Sequence, residues 1–231
     1  MNALTVKNLF YRYPSGEEAL RGVDLEIPRG SKTALVGKNG SGKTTLLLHV
    51  NGLLDGDGYI EVMGIVRGHG TIAQIREKTG FLFGQTEYHF IMTDLLRDVM
   101  LGIVDETLSL REKRERAMEW LAFFGLERHA YRSPLELSTG EMKRAALVGV
   151  LAKKPELLML DEPLNGLDRE SADNLVLLLG SLPVTIIMAT HRLFLVETLA
   201  THVAVMEDGI VTQFLPVKNA LKHKDVRALL Y

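Results

Sequence analysis

Gly37-Lys38-Asn39-Gly40-Ser41-Gly42-Lys43-Thr44-Thr45 fits the pattern G-x-x-x-x-G-K-S/T without a mismatch. The stretch follows an apolar run at residues 33–36 and precedes another at residues 46–48, so a buried strand leads into it and a helix leaves it. Glycines let such a loop turn its backbone N–H groups inward, and the helix dipole adds partial positive charge at the same point. The stretch therefore predicts a phosphate-binding loop within an α/β fold.

Each residue of this loop is expected to make a different contact with a nucleotide. Lys43 is placed to reach the terminal phosphates, and the hydroxyl of Thr44 is placed to join the shell of a Mg²⁺ ion. The other residues expected to bind the nucleotide are Gly37, Asn39, Gly40, Ser41, Gly42 and Thr45. An ordinary glycine-rich turn is the alternative interpretation, and the strand and helix on either side disfavour it.

The composition excludes several classes of function. With 231 residues, the chain is long enough for one large α/β domain or for a core domain with an inserted subdomain. Its 27 Lys and Arg residues against 29 Asp and Glu residues give a net charge of -2, so we expect no nucleic-acid partner. The absence of cysteine excludes disulfides, thiol catalysis and Cys-ligated zinc. We expect neither a membrane span nor a signal peptide.

The hydrophobic pattern on both sides of the loop is that of an α/β protein. Residues 4–13, 19–27 and 59–66 are predicted strands of an N-terminal antiparallel sheet, in which residues 59–66 form one strand. Short apolar runs typical of buried strands return after residue 152, and Asp208-Gly209 predicts a hairpin near the end. The later predicted strands are residues 157–160, 184–189, 203–206 and 210–214, with a helix at residues 169–179.

Residues 87–152 have a different pattern, because their apolar residues recur at helical spacing. We therefore expect an inserted helical subdomain there. The predicted fold is α/β, with a phosphate-loop NTPase core made of a mostly parallel sheet flanked by helices. An N-terminal antiparallel β subdomain and the helical insert complete a single domain over residues 1–231, in which residues 1–86 and 153–231 form the core.

Two carboxylates, Asp161 and Glu162, follow the apolar run at residues 157–160. Ligands of parallel sheets gather at the carboxyl ends of the strands, where a phosphate-loop protein needs a carboxylate for Mg²⁺. Asp161 suits the metal, and Glu162 would polarise a water in line with the γ-phosphate. The alternative interpretation is an acidic pair that faces solvent at the end of a strand.

At this point the sequence resembles the ATP-binding cassette (ABC) ATPases over nearly its whole length. Leu137-Ser138-Thr139-Gly140-Glu141 is similar to the LSGGQ signature of that family, and Asn165-Gly166-Leu167-Asp168 is similar to its D-loop. His191, after the apolar run at residues 186–190, matches the switch histidine. Residues 137–168 most resemble the ATPase subunits of energy-coupling factor and cobalt-type importers.

The resemblance implies that two such domains face each other head to tail and hold ATP between them. Ser138 and Gly140 would then contact the γ-phosphate bound by the loop of the partner, and His191 would act in catalysis. Ser138 also suits a helix N-cap, with Glu141 completing a capping box. Tyr13 aligns with the aromatic residue that stacks on adenine, and Tyr11 is the competing candidate.

The sequence departs from the family pattern in two places. Thr139 and Glu141 replace a glycine and a glutamine of the signature, so a Cβ branch and a negative charge lie near a phosphate site. The second departure is Gly84, which stands where relatives carry a glutamine that contacts the metal or the lytic water. We expect Gln85 to take that catalytic and metal-contacting role, with Gly84 absorbing the shift through a β-bulge or a positive φ.

These features together predict an ATP-hydrolysing subunit that powers a separate membrane transporter, with ATP and Mg²⁺ as cofactors. The resemblance implies two partners: a second ATPase subunit, identical or paralogous, and an integral membrane subunit whose coupling helix docks near residues 85–100. The expected location is the cytoplasmic face of the membrane. The alternative is an ABC ATPase without a transport role, such as a scaffold in iron–sulfur assembly. The transported substrate and its direction stay open.

Overall fold

The computed structural model describes residues 1–230 of the chain. Within that range the strands are β1 (Asn2–Arg12), β2 (Glu18–Pro28), β3 (Lys32–Val36), β4 (Asp57–Val62), β5 (Ile65–Val66), β6 (Thr79–Leu82), β7 (Leu157–Asp161), β8 (Thr185–Ala189), β9 (His202–Glu207) and β10 (Ile210–Pro216). The α-helices are α1 (Lys43–Val50), α2 (Ile72–Lys78), α3 (Leu95–Gly102), α4 (Leu110–Phe123), α5 (Thr139–Ala152), α6 (Arg169–Ser181), α7 (Leu193–Leu199), α8 (Val217–Ala220) and α9 (Lys224–Ala228).

The smaller sheet is antiparallel and contains the N-terminal strands in the order β2-β1-β4-β5. The prediction of one strand over residues 59–66 was wrong, because the chain reverses between β4 and β5. Met63 and Gly64 both have a positive φ, of 50° and 82°, which is the backbone of a tight hairpin turn. Glycine tolerates that conformation, so the turn forms within a run that otherwise favours a strand.

The larger sheet has the order β10-β9-β3-β8-β7-β6 and positions the phosphate loop. All its pairs are parallel except β9 and β10, which form the hairpin predicted at Asp208-Gly209. Strand β8 lies between β3 and β7 and pairs with both. The carboxyl ends of these three strands are therefore neighbours, and the segments that follow them meet at one edge of the sheet.

The larger sheet is buried on both faces, which explains its continuous apolar runs. On β3, Ala34 and Val36 belong to one core cluster and Leu35 to the other. On β7, Leu158 and Leu160 again belong to the first cluster, whereas Leu157 and Met159 belong to the second. Because successive side chains of a strand point to opposite faces, the two clusters lie on either side of the sheet. This confirms the predicted α/β class.

The chain between β6 and β7 forms helices only. Besides α3, α4 and α5, it contains three 3₁₀ turns, Thr86–His89, Glu127–His129 and Pro134–Glu136. Helices α3 and α5 approach closely at Gly102, where an added Cβ would lie 2.5 Å from the carbonyl oxygen of Gly149. The apolar side chains of α3 and α5 join the first core cluster, so the helical stretch packs on the same face of the sheet as α6 and α7.

Candidate functional site

The phosphate loop connects β3 to α1 and depends on glycine at two close approaches. Gly42 precedes the first residue of α1 with φ 99°, and a Cβ there would lie 2.6 Å from the carbonyl oxygen of Ala19. At Gly37 a Cβ would lie 2.1 Å from the carbonyl oxygen of Met206. Any larger residue at either position would displace backbone, and the path of the loop is fixed by these two contacts.

Lys43 is the buried cation of the loop. Its side chain lies inward, and Nζ donates to the carbonyl oxygens of Gly37 at 2.8 Å and Lys38 at 2.9 Å. Burial lowers the pKa of Lys43, while the nearby carboxylates of Glu162 and Asp161 raise it. The ammonium is therefore held against the backbone of the loop, close to the carboxylates of Asp161 and Glu162 at the end of β7.

Asp161 ends β7 and faces the loop. The hydroxyl of Thr44 lies 3.1 Å and 3.0 Å from the two carboxylate oxygens of Asp161. Burial raises the pKa of Asp161, and the hydrogen bond from Thr44 opposes that shift. A partly buried carboxylate beside a hydroxyl is a donor set that suits Mg²⁺, which keeps phosphate and water oxygens as its other ligands. Within residues 1–230, no cluster of three or more His, Cys, Asp or Glu side chains forms a metal site by itself.

Glu162 and His191 form a contact directly beside Asp161. The Nδ1 atom of His191 lies 2.8 Å from Oε1 of Glu162, and both side chains are largely buried. The second carboxylate oxygen of Glu162 is buried with no hydrogen-bond partner in the described part of the chain. Its backbone has φ 45°, which is uncommon for a residue with a Cβ. Such outliers cluster at functional sites, where the surrounding structure holds them.

Lys43, Thr44, Asp161 and Glu162 line one cavity of about 710 Å³. The predicted site residues that line it are Tyr13, Asn39, Gly40, Gly42, Lys43, Thr44, Thr45, Gln85, Asp161 and Glu162. Gly37 and Ser41 belong to the same loop, and His191 reaches the cavity through Glu162. Sequence reasoning missed the lining residues Glu17, Ala19, Phe83 and Tyr88, which carry no motif of their own, and it named Asn165 only as part of the D-loop.

Tyr13, rather than Tyr11, borders this cavity. The hydroxyl of Tyr13 lies 3.0 Å from that of Thr45, and its ring meets Tyr11 edge to face with centroids 5.0 Å apart. Tyr11 lies against His49 and lines a separate cleft on the antiparallel sheet. The placement favours Tyr13 as the residue beside a bound base, and Tyr11 supports it from behind.

Gly84 and Gln85 both line the cavity, but the expected route to that arrangement was wrong. Strand β6 ends at Leu82, so no β-ladder remains in which Gly84 would form a bulge, and Gly84 has no positive φ. An added Cβ at Gly84 would lie 3.4 Å from the carbonyl oxygen of Asp161, an ordinary contact. Gln85 itself is extended, with φ -89° and ψ 103°. The chain has already left the sheet here and is free to turn Gln85 toward the cavity.

His89 holds the start of this segment. Its Nε2 accepts the backbone N–H of Phe83 at 2.8 Å, and its ring packs against the Phe83 ring with centroids 5.1 Å apart. Burial lowers the pKa of His89 to about 4, so the ring is neutral and remains an acceptor at neutral pH.

The helix α5, which we call the signature helix, begins at Ser138 and lies outside the cavity. Ser138 and Glu141 form a capping box, in which the Ser138 hydroxyl donates to Oε2 of Glu141 at 2.8 Å. This bond from Ser138 lowers the pKa of Glu141 to about 2. Oε1 of Glu141 lies 3.0 Å from Nε2 of His129 and 3.4 Å from Arg128.

The two departures in the signature therefore have different surroundings. The charge of Glu141 is directed toward His129 and Arg128 of its own chain, whereas Thr139 is exposed on the first turn of α5. Gly140 lies against α6, where an added Cβ would be 2.8 Å from Oγ of Ser171. Ser138 and Gly140 do not border the cavity of their own phosphate loop.

A phosphate loop after a central parallel strand, with a metal-suited carboxylate on the strand two places away, defines a nucleotide-hydrolysing protein of the phosphate-loop class. The family model for the ABC transporter matches residues 20–165 of this chain. The chain belongs to that family, as one of its ATPase subunits.

Similar sequences are ATP-binding proteins of transporters. The chain is 35% identical over 229 residues to the energy-coupling factor transporter ATP-binding protein EcfA of Methanosphaera stadtmanae, covering 96% of this chain and 82% of that protein. It is 43% identical over 211 residues to a putative ABC transporter ATP-binding protein of Gloeobacter violaceus, covering 90% of this chain and 86% of the relative.

Similar solved structures are ABC cassettes. CbiO1 from Clostridium perfringens, described as part of the ABC transporter complex cbiONQ, superposes with a TM-score of 0.85 at 34% identity, over 97% of this chain and 92% of CbiO1. The cassette MJ0796, solved as a dimer in a post-hydrolysis state with ADP and Pi, has a TM-score of 0.84 at 28% identity, over 93% of this chain and 98% of MJ0796. Within residues 1–230, no helix has the length and apolar character needed to cross a membrane.

Proposed function

We propose that this subunit hydrolyses ATP at a site shared with a second ATPase subunit, and that the reaction drives an importer of the energy-coupling factor or cobalt, nickel or vitamin type. One observation supports the hydrolytic part above all others. Lys43, Thr44, Asp161 and Glu162 face one cavity, although more than a hundred residues separate the loop from the acidic pair. The names of the similar transporter proteins support the coupling to a membrane complex.

The hydrolysis assigns separate tasks to these residues. Glu162 accepts a proton from a water that attacks the γ-phosphorus, and the bond from that phosphorus to the β–γ bridging oxygen breaks, so ADP leaves with the electron pair. His191, 2.8 Å from Oε1 of Glu162, orients the carboxylate. Lys43 stabilises the charge of the terminal phosphates, and the backbone N–H groups of the loop surround them.

Mg²⁺ fits the donor set of Thr44 and Asp161, with Gln85 beside them. When bound, such an ion neutralises charge on the phosphate oxygens and orients them. The Thr44 hydroxyl and the Asp161 carboxylate, 3.0 Å apart at their closest, would hold it from the loop and from β7. Gln85 lines the same cavity and would contact the ion or the attacking water.

A second subunit is needed because the signature helix lies outside the cavity of its own chain. In a head-to-tail dimer, Ser138 and Gly140 would contact the γ-phosphate held by the partner, where the N-terminus of α5 favours negative charge. The dimeric state of the cassette MJ0796 supports this arrangement. The partner is a second copy of this chain or a paralogue.

The segment after Gln85 is the proposed docking site for the membrane subunit. Tyr88 is 76% exposed and Ile91 is 80% exposed. Both follow within six residues of Gln85, which lines the cavity. A coupling helix packed on these side chains would bury apolar surface and contact the nucleotide site at once. The proposed location of the subunit is therefore the cytoplasmic face of the membrane, where it is bound through its partner.

Purification from membranes tests the transport role. The subunit should co-purify with an integral membrane protein, and the variant Ile91→Ser should lose that partner while it retains ATP binding. Leu110→Ser on the first turn of α4 is the matched control, because Leu110 is 79% exposed on another element. Recovery with soluble assembly factors, and with no membrane protein, would contradict the transport role and favour the scaffold alternative.

A further inference from the structure

A buried lysine of the signature helix contacts the backbone of Glu162 and Pro163 in the same chain. Lys143 is only 3% exposed, and its Nζ donates to the carbonyl oxygens of Glu162 at 3.2 Å and Pro163 at 3.0 Å. Burial lowers the pKa of Lys143 to about 8, while the charges of Glu162 and Glu87 oppose that shift. A buried ammonium is costly unless its donors are satisfied, and here two backbone carbonyls satisfy it.

The backbone that Lys143 contacts is the unusual one at Glu162. The φ of 45° places this residue in the left-handed region, which a side chain with a Cβ adopts only when its surroundings hold it there. The N–H of Glu162 donates to the carbonyl of Ala189 at 2.9 Å, and its carbonyl accepts from Asn165 at 3.1 Å. Lys143 adds the contact that joins this turn to a helix outside the sheet.

We propose that Lys143 is a positioning residue for ATP hydrolysis, which holds the backbone of Glu162 so that the carboxylate faces the attacking water. This inference rests on the proposed role of Glu162 as the base. Lys143 does not line the cavity, so it acts through the turn after β7. Its contact with Pro163 holds the same turn at a second carbonyl, so a change in the backbone of this turn would disturb both bonds.

The same contact connects two nucleotide sites. Ser138 begins α5, and Lys143 follows five residues later, roughly 7 Å along the helix axis. A displacement of α5 when Ser138 engages the ATP of the partner subunit is therefore transmitted to Glu162 of the same chain. The orientation of Glu162 in one subunit would therefore depend on the contact between Ser138 of that subunit and the ATP bound by the phosphate loop of the other subunit.

The direct test is Lys143→Met, which keeps the length of the side chain and removes the ammonium. We expect kcat for ATP hydrolysis to fall by about 10-fold or more, with KM for ATP changed by less than about 2-fold. The matched control is Lys153→Met at the other end of α5, where Nζ donates to the carbonyl of Arg76 at 3.2 Å. The control should retain the kcat of the parent protein. An equal fall of kcat in both variants, or an unchanged kcat in Lys143→Met, would overturn the inference.

A second measurement separates positioning from a general effect on the fold. In a Glu162→Gln background, Lys143→Met should cause no further loss of single-turnover hydrolysis, because the base is already absent. A purely structural lysine would lower the rate by the same factor in both backgrounds. Lys143→Gln, which keeps a donor near the carbonyls, replaces Lys143→Met if the apolar side chain prevents folding, and it should show an intermediate kcat.

The outcomes also distinguish this inference from the proposed function. If Glu162→Gln alone hydrolyses ATP normally, the assignment of the base is wrong and the inference falls with it. If Glu162→Gln is inactive but Lys143→Met has normal kcat, the base stands and only the positioning role is wrong.

Discussion

The phosphate loop and the signature helix both present a helix N-terminus, but the chain finishes the two ends differently. At α1 the position before the helix is Gly42, which offers no side-chain cap, so no N-cap side chain satisfies the first backbone N–H groups. At α5 the first turn is closed by the capping box of Ser138 and Glu141. One N-terminus is left for a ligand, whereas the other is satisfied by its own chain.

The difference indicates what each half-site requires. The loop collects its cation, Lys43, and its carboxylates, Asp161 and Glu162, within one chain, and so it is prepared for phosphate before any partner arrives. In the proposed dimer, the Ser138 hydroxyl would have to exchange Glu141 for a phosphate oxygen, and that exchange would cost a charge-assisted hydrogen bond. We therefore expect nucleotide binding to precede, and to be tighter than, association of two subunits.

Removal of the cation of the loop should have the strongest effect on ATP binding. Lys43→Ala should abolish measurable ATP binding, because the buried ammonium closest to the β- and γ-phosphates is lost. Isothermal titration with ATP and Mg²⁺ would measure the change. Lys218→Ala, an exposed lysine near the C-terminus, is the control and should bind as the parent does. Retained affinity in Lys43→Ala would refute the assignment.

A somewhat smaller effect separates binding from chemistry at the same half-site. Glu162→Gln should lower turnover by a factor of about 10² or more while ATP affinity is kept, because the amide cannot accept the proton of the attacking water. Steady-state phosphate release and equilibrium binding would be measured on the same preparation. Near-normal turnover would exclude Glu162 as the base.

Gln85→Ala tests the junction between the sheet and the helices. Since Gln85 lines the cavity next to Gly84, its removal should reduce hydrolysis several-fold and leave the fold intact. Glu106→Ala, an exposed residue in the loop between α3 and α4, is the control. If basal and transporter-stimulated rates both survive in Gln85→Ala, the side chain has no part in the reaction.

The smallest expected effect concerns stability at the signature helix. The pKa of Glu141 is about 2 in the fold and near 4.5 in the unfolded chain, so its contribution is present above pH 4.5 and lost as the pH falls toward 2. Glu141→Gln should lower the free energy of unfolding at pH 7 by on the order of 1 kcal/mol, given its partial solvent screening.

Urea unfolding between pH 7 and pH 3 measures that difference, which should shrink as the pH falls. Glu112→Gln is the comparison variant, because Glu112 closes the same kind of capping box with Ser109 on α4 but has no contact like that with His129. A difference for Glu141→Gln that stays constant with pH would show that the charge of Glu141 does not stabilise the helix.

The sequence predicted the loop, the acidic pair and the α/β class because each depends on local patterns. Glycine spacing, an apolar run that ends in a carboxylate, and a period of two or 3.6 are all properties of neighbouring residues. The split of residues 59–66 into β4 and β5 was missed because the run is rich in β-formers throughout, and only the backbone at Met63 and Gly64 reveals the turn.

Contacts between distant segments explain the remaining errors and omissions. The route of Gln85 to the cavity depends on where β6 ends, which is set by pairing with β7, where Leu82 meets Leu160, 78 residues later. Lys143 left one signal in the sequence, since it falls four and eight residues before the buried Leu147 and Leu151. That spacing marks it as a buried lysine but does not identify the carbonyls it meets.

The left-handed backbone of Glu162 lowers the thermal stability of the protein. A residue with a Cβ is roughly 1–2 kcal/mol less favourable in that conformation than glycine, and one buried carboxylate oxygen here has no partner among residues 1–230. Glu162→Gly should therefore melt at a higher temperature than the parent protein while it loses hydrolysis; a lower melting temperature would contradict this. Selection for thermal stability alone would discard the residue that we propose as the base, so under that proposal activity and stability compete at this position.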